Sequence, residues 1–241
     1  MPLPIQAITF DFWRTLFYTH VNFQERRDAR VRALVAITGC EPADAKAALK
    51  AQEQEFLRIH IAEQRTLMPA AAIPLLETHL DTTFCASKTQ AICDAIEDVT
   101  LEHPPAPIEG ALEAVQAAAE RVPVGLISDT GLATGKTITQ LLENNGFGGL
   151  FTSMTFSDET GVAKPQPAMY HHASENLAVP VESLLHIGDL EPTDIHGALS
   201  LGAHAALFGG DNDRFVGNTK AHHTFTDWPS FVEKLPELVG R

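Results

Sequence analysis

The residues best suited to chemistry follow apolar runs that are typical of short buried strands. The first such run, residues 8–10, ends at Asp11, and a hydroxyl group follows at Thr15. In an open parallel sheet, ligands bind in the crevice beyond the carboxyl ends of the strands. A carboxylate in that place can act as a nucleophile and form a covalent intermediate, but it can equally cap the next helix or turn. This stretch alone leaves both interpretations open.

Three later strand ends also carry polar side chains. Ser128 ends the predicted strand 122–128, where its hydroxyl can bind an anionic oxygen or serve as a cap. Lys164 precedes a proline that holds it out of a helix, although a single lysine is usually just solvated. Asp189 and Asp194 lie five residues apart at a strand-to-helix turn. Oxygen ligands in such a loop favour Mg²⁺ over zinc, whereas Asp194 alone can cap a helix.

The segment between the first two of these strand ends is helical in character. Residues 23–103 are rich in Ala, Glu, Gln, Arg and Leu, show no strand pattern, and contain breaks at Gly39, Pro69 and Ser87. We expect four helices here, over residues 23–38, 42–63, 70–84 and 88–101. An all-helical block between two strands is an insertion, and the proline-rich segment 103–107 is its return linker.

From residue 108 onward, helices and strands alternate, as in βαβ units with a parallel sheet. The predicted strands cover residues 122–128, 151–156, 184–187 and 203–208, with a short one near 224–225. The predicted helices cover residues 109–121, 134–144, 167–177, 194–201 and 230–238. The sequence therefore predicts an α/β fold with a parallel sheet and an inserted helical bundle.

The composition narrows the possible partners and compartment. The chain has 241 residues, of which 44% are hydrophobic and 20% charged, as in ordinary globular proteins. A formal net charge of −14 argues against nucleic acid and anionic membranes as partners. An anionic substrate must therefore be attracted by a local metal ion or lysine. There is no transmembrane run, no signal-peptide layout and no metal-ligand spacing among the three cysteines, so we expect a cytoplasmic protein with reduced thiols.

In this order, one at each strand end, the polar side chains resemble the four motifs of the haloacid dehalogenase-like (HAD) hydrolase superfamily. The matching residues, in motif order, are Asp11 to Thr15, Ser128, Lys164-Pro165, and Gly188-Asp189 through Asp194. The helical block falls between the first and second motifs, where the superfamily's helical cap of the first type is inserted. The resemblance implies a Rossmann-like three-layer core over residues 1–18 and 106–241 and a helical cap over residues 19–105.

The resemblance also implies a role for each motif residue. Asp11 would be the nucleophile, Thr15 and Ser128 would hold the oxygens of the transferring group, and Lys164 would balance the negative charge around the nucleophile. Such positioning and charge neutralisation are what phosphoryl transfer requires.

A magnesium site is implied at the same strand ends. Its ligands would be Asp11, the backbone carbonyl of Trp13 and Asp189, with Asp194 supporting the ion directly or through water. The expected cofactor is Mg²⁺, and the expected substrate is a small phosphorylated metabolite.

One position departs from the pattern. Phosphatases of the superfamily carry a second Asp and a Gly where this chain has Trp13 and Arg14. The second Asp is the general acid for the leaving group, and losing such help typically costs about 10²–10⁴ in rate. His20, just beyond the first motif, is the best-placed replacement, and Glu191 and Asp129 are other candidates.

Two branches of the superfamily also lack the second Asp. Its dehalogenases carry Tyr there and have lost the metal-binding fourth motif, which this sequence keeps. Its phosphonate hydrolases use a cap lysine, but the residues around Lys46, Lys50 and Lys88 do not match that branch. The alternatives to a phosphatase are therefore a carbon–halogen hydrolase and a catalytically weak phosphate-binding or regulatory protein. The sequence contains no indication of an oligomeric state.

Overall fold

The fold is an α/β Rossmann-like arrangement built on one parallel sheet of six strands. The computed structural model describes residues 4–240. The strands are β1 (Ala7–Phe10), β2 (Val124–Ser128), β3 (Ser153–Phe156), β4 (Leu184–Gly188), β5 (His204–Phe208) and β6 (His223–Phe225). Their order is β3-β2-β1-β4-β5-β6, and every neighbouring pair is parallel. The predicted α/β fold with a parallel sheet is confirmed.

Side chains that alternate along the strands belong to two apolar clusters, one on each face of the sheet. In β1, Ile8 and Phe10 belong to one cluster and Ala7 to the other, and β5 alternates in the same way. Because both faces are covered, the central strands β1, β2 and β4 are mostly apolar and buried along their length. Trp228 stacks on Phe208 at 4.3 Å between ring centroids and closes the first cluster. Burying each such side chain contributes about 1.5–3 kcal/mol.

Six helices cover the two faces and the end of the chain. They are α5 (Ala111–Ala119), α6 (Gly135–Asn144), α7 (Ser157–Thr160), α8 (Pro167–Asn176), α9 (His196–Ser200) and α10 (Trp228–Leu238). Helix α7 was not predicted from the sequence. The helix predicted over residues 194–201 is instead a π-helical turn, Glu191–Ile195, followed by the short α9. None of the helices within residues 4–240 combines the length and hydropathy needed to cross a membrane.

Four helices between β1 and α5 form a block with its own apolar cluster. They are α1 (Phe23–Thr38), α2 (Pro42–Glu63), α3 (Pro69–His79) and α4 (Ala86–Glu102). We refer to residues 23–102 as the helical block. The prediction that α3 extends to residue 84 is wrong, because Asp81 adopts φ 45° and the Glu77 carboxylate accepts a hydrogen bond from the Phe84 amide at 2.7 Å. These two features turn the chain out of the helix.

Candidate active site

The candidate residues meet at the carboxyl edge of the central strands. Strands β2, β1 and β4 are neighbours, and Ser128, Asp11 and Asp189 stand at or directly after their ends. The Asp11 amide donates a hydrogen bond to the Ile187 carbonyl at 2.8 Å, which continues the pairing of β1 with β4. Ser128 is fully buried, and its hydroxyl donates to the Asp129 carbonyl at 3.3 Å. The strand order thus brings three of the four motifs together.

The remaining motif, the third, comes from the loop before α8 as a buried lysine, Lys164. The Lys164 Nζ lies 2.6 Å from Asp11 Oδ1 and 2.6 Å from Asp194 Oδ1. Its backbone N–H donates to Asp129 Oδ1 at 2.9 Å, which fixes the loop against the end of β2. Burial alone would lower the pKa of Lys164, but Asp11, Asp194 and Asp129 together raise that pKa well above its ordinary value. Lys164 is therefore a fixed positive charge between the two carboxylates.

Asp11 is a buried carboxyl group with two other carboxyl groups, Asp194 and Asp189, close to it. Burial raises the pKa of Asp11 well above its ordinary value, and the charges of Asp194 and Asp189 raise it further, while Lys164 lowers it. The Thr15 hydroxyl points at Asp11 Oδ2 from 3.4 Å. A carboxyl group must be ionised to act as a nucleophile. The single ammonium of Lys164 does not fully offset the burial of Asp11, so a second cation beside Asp11 would favour the reactive form.

Asp189 is held by a residue that the sequence analysis missed. Asn212, in the loop after β5, donates from Nδ2 to Asp189 Oδ2 at 2.7 Å. Burial and the charge of Asp194 raise the pKa of Asp189 to about 7, although the hydrogen bond from Asn212 lowers it. Asn212 follows a predicted strand, as the motif residues do, so its place after the run 203–208 was the available signal.

Asp194 differs from the other two carboxylates because both of its oxygens are engaged. Oδ1 accepts from Lys164 and lies 3.1 Å from His186 Nε2, and Oδ2 accepts from the Leu190 amide at 2.9 Å. Burial alone would raise the pKa of Asp194, but Lys164 and His186 lower it well below its usual range. This carboxylate is thereby turned toward Lys164 and the backbone. His186 was also missed, since a single histidine in an apolar strand carries no motif.

The donors present fit the predicted magnesium ion. Asp11 and Asp189 are buried carboxyl groups with raised pKa values, which an adjacent divalent cation would reverse. Within residues 4–240, no hydrogen bond goes to the Trp13 carbonyl. No three His, Cys, Asp or Glu side chains of this part of the chain form a ready metal cluster. Mg²⁺ needs only one or two protein carboxylates, because waters and phosphate oxygens complete its octahedron.

Arg14 occupies the glycine position of the first motif and keeps the backbone shape of a glycine. Its φ is 60°, a left-handed conformation that costs a residue with a side chain roughly 1–2 kcal/mol. The guanidinium donates to Asp211 Oδ2 at 2.9 Å from Nε and to the Asp211 carbonyl at 2.8 Å from Nη2. These two bonds offset the backbone strain and tie the first motif to the loop after β5.

Trp13 lines a cavity of about 320 Å³ between the helical block and the strand ends. Phe56 and Leu67 line it from the helical block, and the loop 129–133 lines it from the other side. We call this the interface cavity. Asp11 is not among the residues that line it, but Trp13 from the first motif and Asp129, which follows Ser128, are.

The three candidate replacements for the missing acid lie in different places. The His20 side chain is 67% exposed and lies 3.5 Å from Asp211. Glu191 accepts hydrogen bonds from Thr219 and from the Lys220 amide, and it is not among the residues that line the interface cavity. Asp129 does line the cavity, and burial raises its pKa.

A histidine from the helical block faces Asp129. His60 Nε2 lies 3.7 Å from Asp129 Oδ2, and His60 Nδ1 is buried without a hydrogen-bond partner among the described residues. The His60 ring stacks on Phe56, with 5.7 Å between ring centroids. Sequence analysis did not single out His60, because it lies in the last turn of a helical segment with no recognisable motif.

Solved structures with the same fold include both hydrolytic chemistries under discussion. A 2-haloacid dehalogenase from Pseudomonas syringae pv. Tomato DC3000 matches with a TM-score of 0.73 and 18% identity over 98% of this chain and 99% of the other. A HAD phosphatase from Thermococcus onnurineus matches with a TM-score of 0.69 and 15% identity over 98% of both chains. The magnesium-bound HAD-hydrolase YfnB from Bacillus subtilis gives 0.64 and 19% over 99% of this chain and 100% of the other.

Identities this low establish the shared fold alone. No curated protein matches the sequence significantly. The family model of the haloacid dehalogenase-like hydrolases matches residues 5–202, which is most of the chain and includes all four motifs. The protein therefore belongs to the haloacid dehalogenase-like hydrolase family.

Proposed function

We propose that the protein is a Mg²⁺-dependent hydrolase of small phosphate monoesters that works through a covalent intermediate on Asp11. The observation that carries this proposal is the buried Lys164 ammonium, 2.6 Å from both Asp11 and Asp194, with the Asp189 carboxyl nearby. An arrangement of this kind concentrates fixed charge where a phosphoryl group would be transferred, which is the main requirement of that chemistry.

The proposed first step forms an acyl phosphate. A carboxylate oxygen of Asp11 attacks phosphorus, a new O–P bond forms, and the ester P–O bond breaks toward the interface cavity. Thr15, Ser128 and Lys164 bind the equatorial oxygens. Asp11, the Trp13 carbonyl and Asp189 would hold Mg²⁺, and Asp194 would support the site by orienting Lys164. Bound there, Mg²⁺ supplies charge neutralisation for the phosphoryl group.

Asp129 is the proposed source of the proton for the leaving oxygen. Its carboxyl group lines the interface cavity, and its raised pKa favours the protonated form that a general acid requires. In the second step, the resulting Asp129 carboxylate accepts a proton from the water that attacks phosphorus. Asp11 then leaves as a carboxylate and inorganic phosphate is released. Once Asp129 has donated its proton, His60 would interact with the resulting carboxylate.

The helical block is the proposed cap, of the first type, over residues 19–105, with the core over residues 1–18 and 106–241. Arg26 supports these boundaries, because its guanidinium binds the carbonyls of Thr19 and Val21 in one linker and of His103 in the other. The three cysteines are free, which favours a reducing compartment such as the cytoplasm. The net charge of −14 favours a small-molecule substrate over nucleic acid or membranes.

Carbon–halogen hydrolysis is the second candidate. Trp13 replaces the usual acid, and a departing halide needs no proton, so the loss of that acid would not impair such a reaction. The similarity in fold to a 2-haloacid dehalogenase is compatible with it. Against it stand Asp189 and its partner Asn212, which a metal-free reaction does not require.

Activity on two substrates with and without metal distinguishes the candidates. We expect wild-type protein to release p-nitrophenol from p-nitrophenyl phosphate with Mg²⁺, to lose that activity in EDTA, and to release no chloride from 2-chloropropionate. Asp11→Asn should be inactive, since an amide is no nucleophile, yet at least as stable as the wild type, because burial already disfavours the charged form. Metal-independent chloride release would favour the dehalogenase. Inactivity on both substrates would favour the binding protein.

A further inference from the structure

The interface cavity has the size and lining of a small-ligand pocket. Its volume of about 320 Å³ equals the share of about ten water molecules and falls at the lower end of the range for ligand sites. Trp13, Phe56, Leu67 and Leu132 give it an apolar wall. An apolar group is therefore favoured in the middle of the cavity.

Two buried polar side chains on helices α1 and α2 interrupt that wall. Arg30 is 9% exposed and Gln52 is 2% exposed. Both also line a second, smaller cavity of about 190 Å³ between α1 and α2, which neither Trp13 nor Asp129 reaches. Arg30 and Gln52 therefore lie on the side of the interface cavity away from the nucleophile.

Arg30 is a buried cation that has no carboxylate partner. Its Nε donates to the Ile96 carbonyl at 3.2 Å and its Nη2 to the Thr100 hydroxyl at 2.8 Å. Among residues 4–240 no carboxylate lies within ion-pair distance of Arg30, and no hydrogen bond from Nη1 is present. Burial and the charge of Arg26 lower the pKa of Arg30 to about 10, while the charge of Glu53 acts in the opposite direction. A buried charge that is unpaired is costly unless something else binds it.

Arg26, on the same helix, is also buried but differs from Arg30 in its hydrogen-bond partners. Its guanidinium binds three backbone carbonyls and fastens the linkers, so its burial has a structural explanation. The burial of Gln52 has no comparable structural explanation, because its Oε1 is buried without a hydrogen-bond partner in the described part of the chain. A buried cation without an anion and a buried amide oxygen without a partner thus line the same cavity.

We infer that the interface cavity selects substrates whose leaving group has an apolar body ending in a carboxylate, which Arg30 and Gln52 bind. The inference rests on the proposed function for the reacting end of the substrate. Guanidinium groups bind carboxylates through two parallel hydrogen bonds, and a half-turn of the Gln52 amide, which exchanges Oε1 for Nε2, adds a third donor to the same carboxylate. The phosphate binds at Asp11, and the carboxylate binds on the opposite side of the cavity.

Besides Asp129, the wall carries one further carboxylate, Glu53, whose charge also acts on Arg30. The Glu53 side chain is 44% exposed and lies 3.5 Å from the Arg27 guanidinium, which reduces its repulsion of a bound anion. Asp129 is proposed to be protonated in the free enzyme. Because the whole chain carries −14, a substrate with two anionic ends needs a local cation at each end. Lys164 supplies one and Arg30 the other.

Product binding tests the inference without relying on turnover. Titration calorimetry would compare 6-hydroxyhexanoate, the alcohol that hydrolysis of 6-phosphonooxyhexanoate would release, with the uncharged 1-hexanol. We expect the wild type to bind the carboxylate at least about tenfold more tightly. Gln52→Leu, which keeps the side-chain volume, and Arg30→Gln should each lose most of that preference. Arg27→Gln, an exposed neighbour on the same helix, should retain it.

Kinetics provide a second, separate readout. We expect kcat/KM for 6-phosphonooxyhexanoate to exceed that for hexyl phosphate by at least about tenfold, and the ratio to approach one in Gln52→Leu. Equal binding of the two alcohols by the wild type would overturn the inference, as would a preference that survives in Gln52→Leu. Selective binding without any hydrolysis would leave the inference standing and refute the proposed function. If Arg30→Gln does not fold, Gln52→Leu and Arg30→Lys decide the question.

Discussion

Lys164 sets the charge balance at the strand ends, because its ammonium contacts Asp11 and Asp194 at the same distance of 2.6 Å. Asp194 has two further partners, which leave it ionised and oriented. Asp11 and Asp189 have fewer donors, so their pKa values are raised. The site therefore contains one satisfied carboxylate and two that a cation would stabilise.

This imbalance predicts a pH-dependent stability. In the absence of Mg²⁺, the folded state binds the Asp189 proton more tightly than the unfolded state, because its pKa is raised to about 7. Stability is thus greatest at low pH and falls as pH rises through that value. We expect a loss of about 2 kcal/mol in urea unfolding between about pH 5 and about pH 7, and less than about 1 kcal/mol of further loss above that range.

Asp189→Asn is the matched variant for this measurement. It removes the titrating group and retains an oxygen to accept from Asn212, so the decline with pH should become shallower. Added Mg²⁺ should stabilise the wild type more at the upper pH and the variant little at either. Parallel pH profiles for the two proteins would show that Asp189 does not titrate in this range.

Sequence order was enough to direct Asp11, Ser128 and Asp189 to one edge of the sheet, because parallel strands end together. Their chemical roles stay predictions. Asn212, His186 and His60 were missed for a common reason: each acts through a partner that is distant in sequence, and single polar residues carry no local pattern. Such contacts become visible only when the strands and the helical block are assembled.

At the level of elements, helix ends were predictable where the chain itself carries the signal. Helices α1 and α2 begin and end at the expected residues, since Gly39 adopts φ 77° after α1 and Pro42 opens α2. The π-helical turn at Glu191–Ile195 was not predictable, because the Asp194 side chain shapes it by binding the Leu190 amide. A side chain of the fourth motif thus lies within a turn whose helix geometry departs from the α-helix.

That turn predicts a strict requirement for glycine at position 188. A Cβ atom there would lie 2.3 Å from Asp194 Cγ, and Asp194 is held by Lys164 and Leu190 and cannot move freely. We expect Gly188→Ala to cost about 1–3 kcal/mol in urea unfolding and to reduce the proposed phosphatase activity by displacing Asp194.

Gly148→Ala is the control, since the nearest atom to its added Cβ, Glu143 Cα, is 3.8 Å away. Its stability should remain within about 0.5 kcal/mol of wild type. If Gly188→Ala were as stable and as active as Gly148→Ala, the close packing of Asp194 against Gly188 would have no energetic consequence.

At the scale of the whole molecule, the helical block reaches the motif loops directly. The Gln64 carbonyl accepts from the amide of Ala163, next to Lys164, at 2.7 Å. The Thr66 hydroxyl donates to the carbonyl of Thr130, next to Asp129, at 3.2 Å. The loop after α2 therefore contacts residues beside two motifs, and it brings His60 to Asp129. The contact between His60 and Asp129 therefore forms only when the helical block and the sheet are together.

The choice of leaving group tests that donor. An alkoxide needs a proton as it departs, whereas p-nitrophenolate is stable without one. If Asp129 is the acid, Asp129→Asn should lower kcat/KM for an alkyl phosphate by about 10²–10⁴ and affect p-nitrophenyl phosphate far less. Asn can still accept from the Lys164 amide, so the loop should keep its position. In the wild type, kcat/KM for the alkyl phosphate should fall as pH rises through the raised pKa of Asp129. The Asp129→Asn variant should not show this decrease.

His20→Ala and Glu191→Gln are the matched controls, because they remove the two other candidate acids, which lie outside the interface cavity. Both should leave the ratio of alkyl to aryl activity unchanged. A change of that ratio in His20→Ala would transfer the role to His20, which would then have to leave Asp211 and reach the cavity. Equal losses on the two substrates in Asp129→Asn would mean that Asp129 positions the Lys164 loop and donates no proton. The alkyl-to-aryl ratio therefore separates a proton donor from a residue that only holds the site together.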